Sequence, residues 1–329
     1  MRFGLAPVQS EPTFDAMFAQ AALAESLGFD VLWAHEHHSQ AMMYPSPLIT
    51  AAALASRTAR IAVGTNMLLL PLYHPLRVAE DAAMVDVLSG GRLVLGVAAG
   101  YARDEFAAFG ADLGERGRRM TAGLELIRAA WTQHPLAADG GDFSLRDYDI
   151  FPRPLQRPSP PIYIGAGVPA ALRRAARLGD GLVLSATQTR DGVRAAAAMY
   201  RAEQGPGPIA VNRVTHVVTG RAEKDEAQRW FSERFLHFYD RWGHPRVTAL
   251  GSAERVHRMT SEEHFILGEP SECVERLHAY AAAGAGEIAC LMNFGKPDLA
   301  AVERSMRLFA ERVAPFAPNA PTAVSRRPE

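Results

Sequence analysis

Between Trp33 and Gln40 the chain reads WAHEHHSQ, placing His35, Glu36, His37 and His38 in four consecutive positions. Imidazoles change charge near neutrality, and a carboxylate beside them can hold or orient a proton, so this run is equipped for general acid–base work. His35 and His37 lie two apart, share one face of an extended strand, and could also begin a metal site. Such a site needs ligands from other elements. The later stretches IGAG, VLSA and LMNF contain neither His nor Asp, and His216 is the single recruit elsewhere, so no metal is expected. A plainer reading also stands, in which the histidines are satisfied by hydrogen bonds at a strand-to-loop junction.

Three further stretches have ligand-binding character. In YIGAGVPAALRRAA, Gly165, Gly167 and Ala170 match a dinucleotide fingerprint in outline, but GLVLSATQ offers Ser185 and Ala186 where the ribose would need an acidic residue. Two glycines followed by Pro169 at a helix start still leave backbone N–H groups and a positive dipole end for one phosphate, which suits a mononucleotide better. The alternative is a tight turn that uses glycine for its geometry alone. In LVLGVAAGYARDEFAAFG a strand runs out in Ala98, Ala99 and Gly100, so a flat ligand could lie against backbone, with Tyr101 at the rim. In VGTNMLLLPLYHP, Asn66 and Met67 fall in mid-strand, and composition alone gives Met67 no role beyond the core.

The elements that must carry these residues alternate. RFGLAPV reads as a strand, and TFDAMFAQAALAESLGF as a helix with Phe14, Met17, Phe18, Ala21 and Leu27 at helical spacing, Thr13 as N-cap and Gly28 as stop. FDVLWA is strand two, followed by a helix over 47–56. IAVGTNMLLL is strand three, with HPLRVAEDAAMVDVLSGG as its helix. RLVLGVAAG is strand four, followed by a helix ending near Trp131 and by FPRPLQRPSPP, a rigid connector. PIYIGA and GLVLS, each with a helix, are strands five and six. AVNRVTHVVTG is strand seven, with a helix over roughly 222–241. The periodicity fails over 242–263, which predicts an insertion able to act as a lid. SECVERLHAYAAAG and EIACLMNF supply a helix and strand eight. A last helix carries Leu299, Val302, Met306, Phe309 and Val313 on one stripe, with Pro315 ending it.

Eight strand–helix units predict an α/β fold, a closed (β/α)8 TIM barrel in one domain over 1–316, with the 242–263 insertion before the last βα unit and a disordered tail over 317–329. Such barrels form active sites at the C-terminal ends of their strands, and WAHEHH then lies on the active face.

The 329 residues carry 35 Lys and Arg against 36 Asp and Glu, a balance that provides no field for nucleic acid or an anionic membrane. Partners are expected to be small molecules or a second copy of the chain. Cys273 and Cys290 show no metal-type spacing and read as small core residues in a reduced cytoplasmic setting. MRFGLAPVQS enters strand-like sequence with no basic-then-apolar leader, and no apolar run reaches membrane-spanning length, so a soluble protein is expected.

Taken in order, HEHH, VGTNMLLLPLYHPLRVAEDAAMVDVLSGGRLVLGVAAGY, PPIYIGAG and GEPSECVERLHAYAAAGAGEI with SMRLFAERVAPF resemble the bacterial luciferase-like flavin-dependent monooxygenases, from Arg2 to about Phe316. The resemblance implies a (β/α)8 barrel, a homodimer formed through the helices after strands two and three, and flavin at the C-terminal face. It places His37 beside the reactive edge of the flavin as the catalytic residue, with Glu36 and His38 orienting or supporting it. A cis peptide between Asn66 and Met67 is implied under the flavin ring. Ala99, Gly100 and Tyr101 are implied in the flavin-contacting loop, Gly165, Ala166, Gly167, Val168 and Pro169 beside the phosphate, and Ser185 near the ring.

The chain departs from the light-emitting enzymes at Ala98 and Ala99, which replace a cysteine and an arginine, and at Val168 and Ala171, which replace hydroxyl residues. These departures speak against long-chain-aldehyde light emission and leave phosphate binding to backbone groups and to an arginine among Arg116, Arg118 and Arg119. The implied activity is oxygenation of a small organic substrate by reduced FMN and O2 through a C4a-peroxyflavin, with a separate flavin reductase supplying the cofactor. A deazaflavin-dependent oxidoreductase and a non-catalytic flavin-binding protein are the alternatives.

Overall fold

The protein is described by a computed structural model over residues 1–9, 14–39, 43–140, 143–251, 254, 261–294 and 298–319. The strand sequences are short and apolar on both faces, as strands buried between a barrel interior and a helical layer must be. They form β1 (Arg2–Leu5), β2 (Val31–Ala34), β3 (Ala62–Thr65) and β4 (Leu93–Ala98). The second half supplies β5 (Ile162–Gly165), β6 (Gly181–Leu184), β7 (Ile209–Val217) and β8 (Glu287–Leu291). Each pairs in parallel with the next, and Arg2 to Leu5 pair with Glu287 to Cys290, which closes an eight-stranded barrel.

The helices are α1 (Asp15–Ser26), α2 (Pro47–Ala55), α3 (Pro75–Ser89), α4 (Arg103–Ala108), α5 (Arg116–Thr132) and α6 (Pro169–Leu178). They continue as α7 (Arg190–Ala202), α8 (Arg221–Arg241), α9 (Pro245–Thr248), α10 (Pro270–Ala282) and α11 (Leu299–Arg312). Proline sits in the first turn of α2, α3, α6 and α10, where no intrahelical N–H bond is lost. Among the described residues, no helix is long and apolar enough to cross a membrane.

Trp33 fills the barrel interior with Val31, Val94, Tyr163, Val183, Ala210 and Ala289. Neighbouring strands make room for its indole with glycine: a Cβ on Gly4 would come 2.3 Å from Trp33 Nε1, and one on Gly64 2.5 Å from Cζ3. The barrel is therefore plugged beneath the histidine run that directly follows β2.

Several sequence expectations are refined. Strand three breaks at Asn66, where the Asn66–Met67 peptide is cis, and resumes as Leu68–Leu69 beside Val97 and Ala98. An additional strand, Phe265–Gly268, pairs with Val214 to Val217 at the far end of β7. Four apolar residues carry too little periodicity to announce a strand, and this one has a partner because β7 is nine residues long and outruns the barrel. An antiparallel hairpin of Leu136–Gly140 with Phe143–Tyr148, also absent from the sequence reading, precedes the Pro-rich connector. Buried Asp86 on α3 ties that connector down, accepting from Leu155 N at 2.7 Å and Gln156 N at 3.0 Å.

Within 242–263 the chain forms α9 and a 3-10 turn over Glu262–His264, while 252–253 and 255–260 lie outside the described residues. Thr13, read as an N-cap, and 320–329 of the tail also lie outside them. Pro318 lies within them, its carbonyl accepting from the Met1 amino group at 2.7 Å.

Candidate active site

A separate apolar cluster, including Phe231, Phe235, Phe238, Tyr239 and Trp242 from α8 and its end, packs with Phe265, Leu291 and Phe294 as a roof over the C-terminal end of the barrel. Beneath it lies a cavity of about 330 Å³. It is lined by His35, Glu36 and His37 after β2, Asn66 and Met67 after β3, and Ala99, Gly100 and Tyr101 after β4. Gly165, Ala166, Gly167 and Val168 after β5 and Ser185 after β6 complete the part of the wall that the sequence singled out.

Two residues singled out with them stand off the wall. Pro169 opens α6 behind Val168. His38 turns away, its Nε2 3.0 Å from Glu36 Oε1 and its ring 4.4 Å from that of Phe109.

Of the two roles expected for Glu36 and His38, orienting His37 or supporting it, the first falls to another carboxylate. Glu36 is buried and accepts from Leu69 N at 2.8 Å and from the Tyr73 hydroxyl at 2.7 Å, besides its contact with His38, so its oxygens are committed elsewhere. The carboxylate that reaches His37 is Glu105 of α4, 2.9 Å from Nδ1, and the same oxygen accepts from His38 N at 2.9 Å. Burial pushes the Glu105 pKa upward, but the hydrogen bond and charge of His37 outweigh it and hold the carboxyl below its ordinary value. An ionised Glu105 at Nδ1 selects the Nδ1–H tautomer, so in the neutral ring the lone pair is on Nε2. Trp242 stacks on His37 with centroids 5.2 Å apart, and Phe238 meets it edge-on at 5.3 Å. The ring is held on its faces by aromatics and on one edge by a carboxylate.

Small residues line the cavity floor, Ala98, Ala99 and Gly100 after β4 and Gly165, Ala166 and Gly167 after β5, and a Cβ on Gly165 would fall 3.0 Å from the Ala98 methyl. Asn66 and Asn212 exchange amide hydrogen bonds, Nδ2 of Asn66 donating at 2.7 Å, which ties the Asn66–Met67 segment to β7. Two buried polar atoms of the wall, His35 Nε2 and the Tyr101 hydroxyl, have no protein partner. Burial and the nearby His37 push His35 down to about 3, so it is neutral at physiological pH.

Among the described lining residues, Arg116 and Arg246 are the arginines. Of the others proposed from sequence, Arg118 pairs with Glu115 on the surface and Arg119 donates to the Pro71 carbonyl at 3.0 Å. Arg246 reaches from α9 to donate to the Gly167 carbonyl beside the start of α6. It was missed because nothing local relates it to Gly167, 79 residues away. His244, also lining the cavity, was missed with it, although the polar run GHPR inside an aperiodic stretch is the kind of signal that marks a functional loop.

The model of a family described as luciferase-like monooxygenase matches residues 1–287. The chain belongs to this family, and it is an enzyme. The oxygenase component of a flavin-dependent trigonelline monooxygenase from Acinetobacter baylyi is 25% identical to it, covering 86% of this chain and 84% of its own. An F420-dependent glucose-6-phosphate dehydrogenase from Amycolatopsis mediterranei is 28% identical, covering 80% and 84%. A Sinorhizobium fredii protein designated y4vJ is 36% identical over 168 residues, about half the length of each chain. In the crystal structure of the monooxygenase RslO1 from Streptomyces bottropensis the fold superimposes with a TM-score of 0.83 at 27% identity, covering 96% of this chain and 99% of that one.

The ion pairs behind the cavity predict a bell-shaped stability profile. The hydrogen bond that His38 donates to Glu36 raises the His38 pKa above 6.5, so its stabilisation is full below pH 6.5 and is lost as pH rises through the folded value. Glu105 is depressed below 4.5, so its contribution is present above that pH and is lost as pH falls through the folded value. Melting temperatures of the flavin-free protein should therefore fall on both sides of an optimum between these windows. In His38→Asn the alkaline fall should flatten, and an unchanged alkaline limb would refute the assignment.

Proposed function

We propose that the protein is a flavin-dependent monooxygenase that takes reduced FMN from a separate reductase and uses O2 to oxygenate a small organic substrate. The observation that carries this reading is the His37–Glu105 pair, half-buried under aromatic rings at the edge of a cavity with a small-residue floor, with His37 Nε2 placed to exchange a proton. The residues present fit FMN. The small-residue floor accommodates a flat ring, the unpartnered His35 Nε2 and Tyr101 hydroxyl can bond its polar edge, and Arg116, Arg246 and the start of α6 suit one phosphate.

Reduced flavin, when bound, supplies the electrons that activate O2. The protein's part is to exclude water with the α8–α9 roof and to take or return a proton at His37 Nε2. The phrase "oxygenase component" in the name of the Acinetobacter relative supports a reductase partner.

A deazaflavin-dependent oxidoreductase is the second reading, favoured by the F420-dependent relative. Anaerobic titration with reduced FMN and with reduced deazaflavin, followed by rapid mixing with oxygen, separates the two. Tight binding of reduced FMN and a long-lived oxygen adduct are expected. Preference for deazaflavin without an adduct would replace the proposal with hydride transfer.

The working form is further proposed to be a cytoplasmic homodimer. Ile49 on α2 and Met84 and Leu88 on α3 are each more than half exposed, an apolar face that a second copy would cover. Met84→Asp/Leu88→Asp should sediment as a monomer where the parent is a dimer, and an unchanged sedimentation coefficient would move the interface elsewhere.

A further inference from the structure

The cavity is chemically divided. Arg246 donates to the Gly167 carbonyl beside the start of α6, while Phe238, Leu291, Phe294 and Met43 occupy the wall on the side of the roof. At this end stands His244, which no step above uses. It is buried, its ring 4.7 Å from Tyr101 and 5.4 Å from Tyr239, and its Nδ1 faces the Arg246 backbone N–H at 3.3 Å. A nitrogen that accepts from a backbone N–H carries no proton of its own, so the proton of the neutral ring is on Nε2. Burial and the charges of Arg246 and His37 push its pKa down to about 4, in keeping with a neutral ring.

Tyr101 therefore lies between two imidazoles of opposite hydrogen-bonding sense. His37, 6.1 Å away between ring centroids, offers a lone pair at Nε2, and His244 offers an N–H.

We infer that this end of the cavity selects an uncharged, flat aromatic substrate bearing a phenolic or enolic hydroxyl, with His244 as a specificity-determining residue. The hydroxyl donates to His37 Nε2, and its oxygen, or a neighbouring one on the ring, accepts from His244 Nε2. The aromatic walls supply stacking surfaces. An aliphatic aldehyde has no donor for His37 and no ring to stack. A carboxylate or sulfonate at this end would meet Glu36 and Glu105, while the guanidinium of Arg246, two residues from His244, is turned to the Gly167 carbonyl.

The inference rests on the monooxygenase reading, and its test is independent of turnover. Calorimetric titration of the protein loaded with oxidised FMN would compare 2-naphthol with 2-methoxynaphthalene, 2-naphthoate and decanal. We expect 2-naphthol to bind at least about tenfold more tightly than each of the others, the scale of one buried hydrogen bond or one misplaced charge. His244→Phe should lose about tenfold in 2-naphthol affinity, whereas His244→Gln, which keeps an N–H donor, should stay within about threefold, with FMN affinity unchanged in both. Binding of 2-naphthoate or decanal as tight as that of 2-naphthol, or full 2-naphthol affinity in His244→Phe, would overturn the inference. Failure of FMN itself to bind would overturn the cofactor reading instead, and the same four probes titrated into the flavin-free protein would still decide the substrate class.

Discussion

His37→Ala is expected to lower product formation by about a hundredfold or more while leaving FMN affinity close to that of the parent. In the proposed reaction the proton-transfer atom is Nε2, which carries the lone pair of the neutral ring because Glu105 lies 2.9 Å from Nδ1. Alanine removes the proposed base, but the cavity end proposed to hold the phosphate and the small-residue floor remain. Glu105→Gln provides the graded control. It keeps the shape of the side chain but removes the charge that fixes the tautomer, and should fall between the parent and His37→Ala, with its pH–rate profile displaced. Single-turnover reactions of preloaded reduced FMN with oxygen and substrate would read both variants. Turnover in His37→Ala equal to the parent would remove His37 from the mechanism.

Glu36→Ala is expected to produce the largest loss of stability among the residues of the WAHEHHSQ run. The buried carboxylate accepts from a backbone N–H, a phenol and an imidazole, so alanine leaves Leu69 N, the Tyr73 hydroxyl and His38 Nε2 without that partner. A cost of roughly 3 kcal/mol follows from leaving buried donors unpaired, or a fall in Tm on the order of 5 °C for a chain of this size. Leu69 closely follows Asn66 and Met67, so FMN affinity should fall with stability in this variant, in contrast to His37→Ala. A Glu36→Ala protein that melts with the parent would show that Glu36 does not brace the β2–β3 loops.

These two variants divide a run of sequence that looks uniform. His37 and Glu36 are adjacent and both chemically capable, yet one lies among the aromatic rings of the roof and the other braces the segment after β3. Both follow β2 in a loop, where neighbouring side chains leave in different directions, and the sequence cannot say which neighbour waits there.

Much of the architecture was legible in local pattern. Eight apolar runs alternating with helical periodicity, proline at helix starts and glycine at turns specify β/α units, because each signal acts within a few residues. The (β/α)8 order in turn places the histidines, Asn66–Met67, Ala99 to Tyr101 and the Gly165 segment on one end of the barrel, where the cavity lies. The family resemblance added the cis peptide at Asn66–Met67, which no spacing argument could supply.

What only the tertiary structure decided is the pairing of distant side chains. Glu105 meets His37 across 68 residues, Arg246 meets Gly167 across 79, and Asn66 meets Asn212 across 146. Each of these contacts depends on strand register and helix docking over the whole barrel, and nothing within a helix turn or a strand pair of the chain encodes it. The sequence by itself determined which residues could do chemistry and at which end of the barrel they gather. Long-range packing decided which carboxylate orients the histidine, which arginine reaches the α6 start, and which face of the cavity is aromatic.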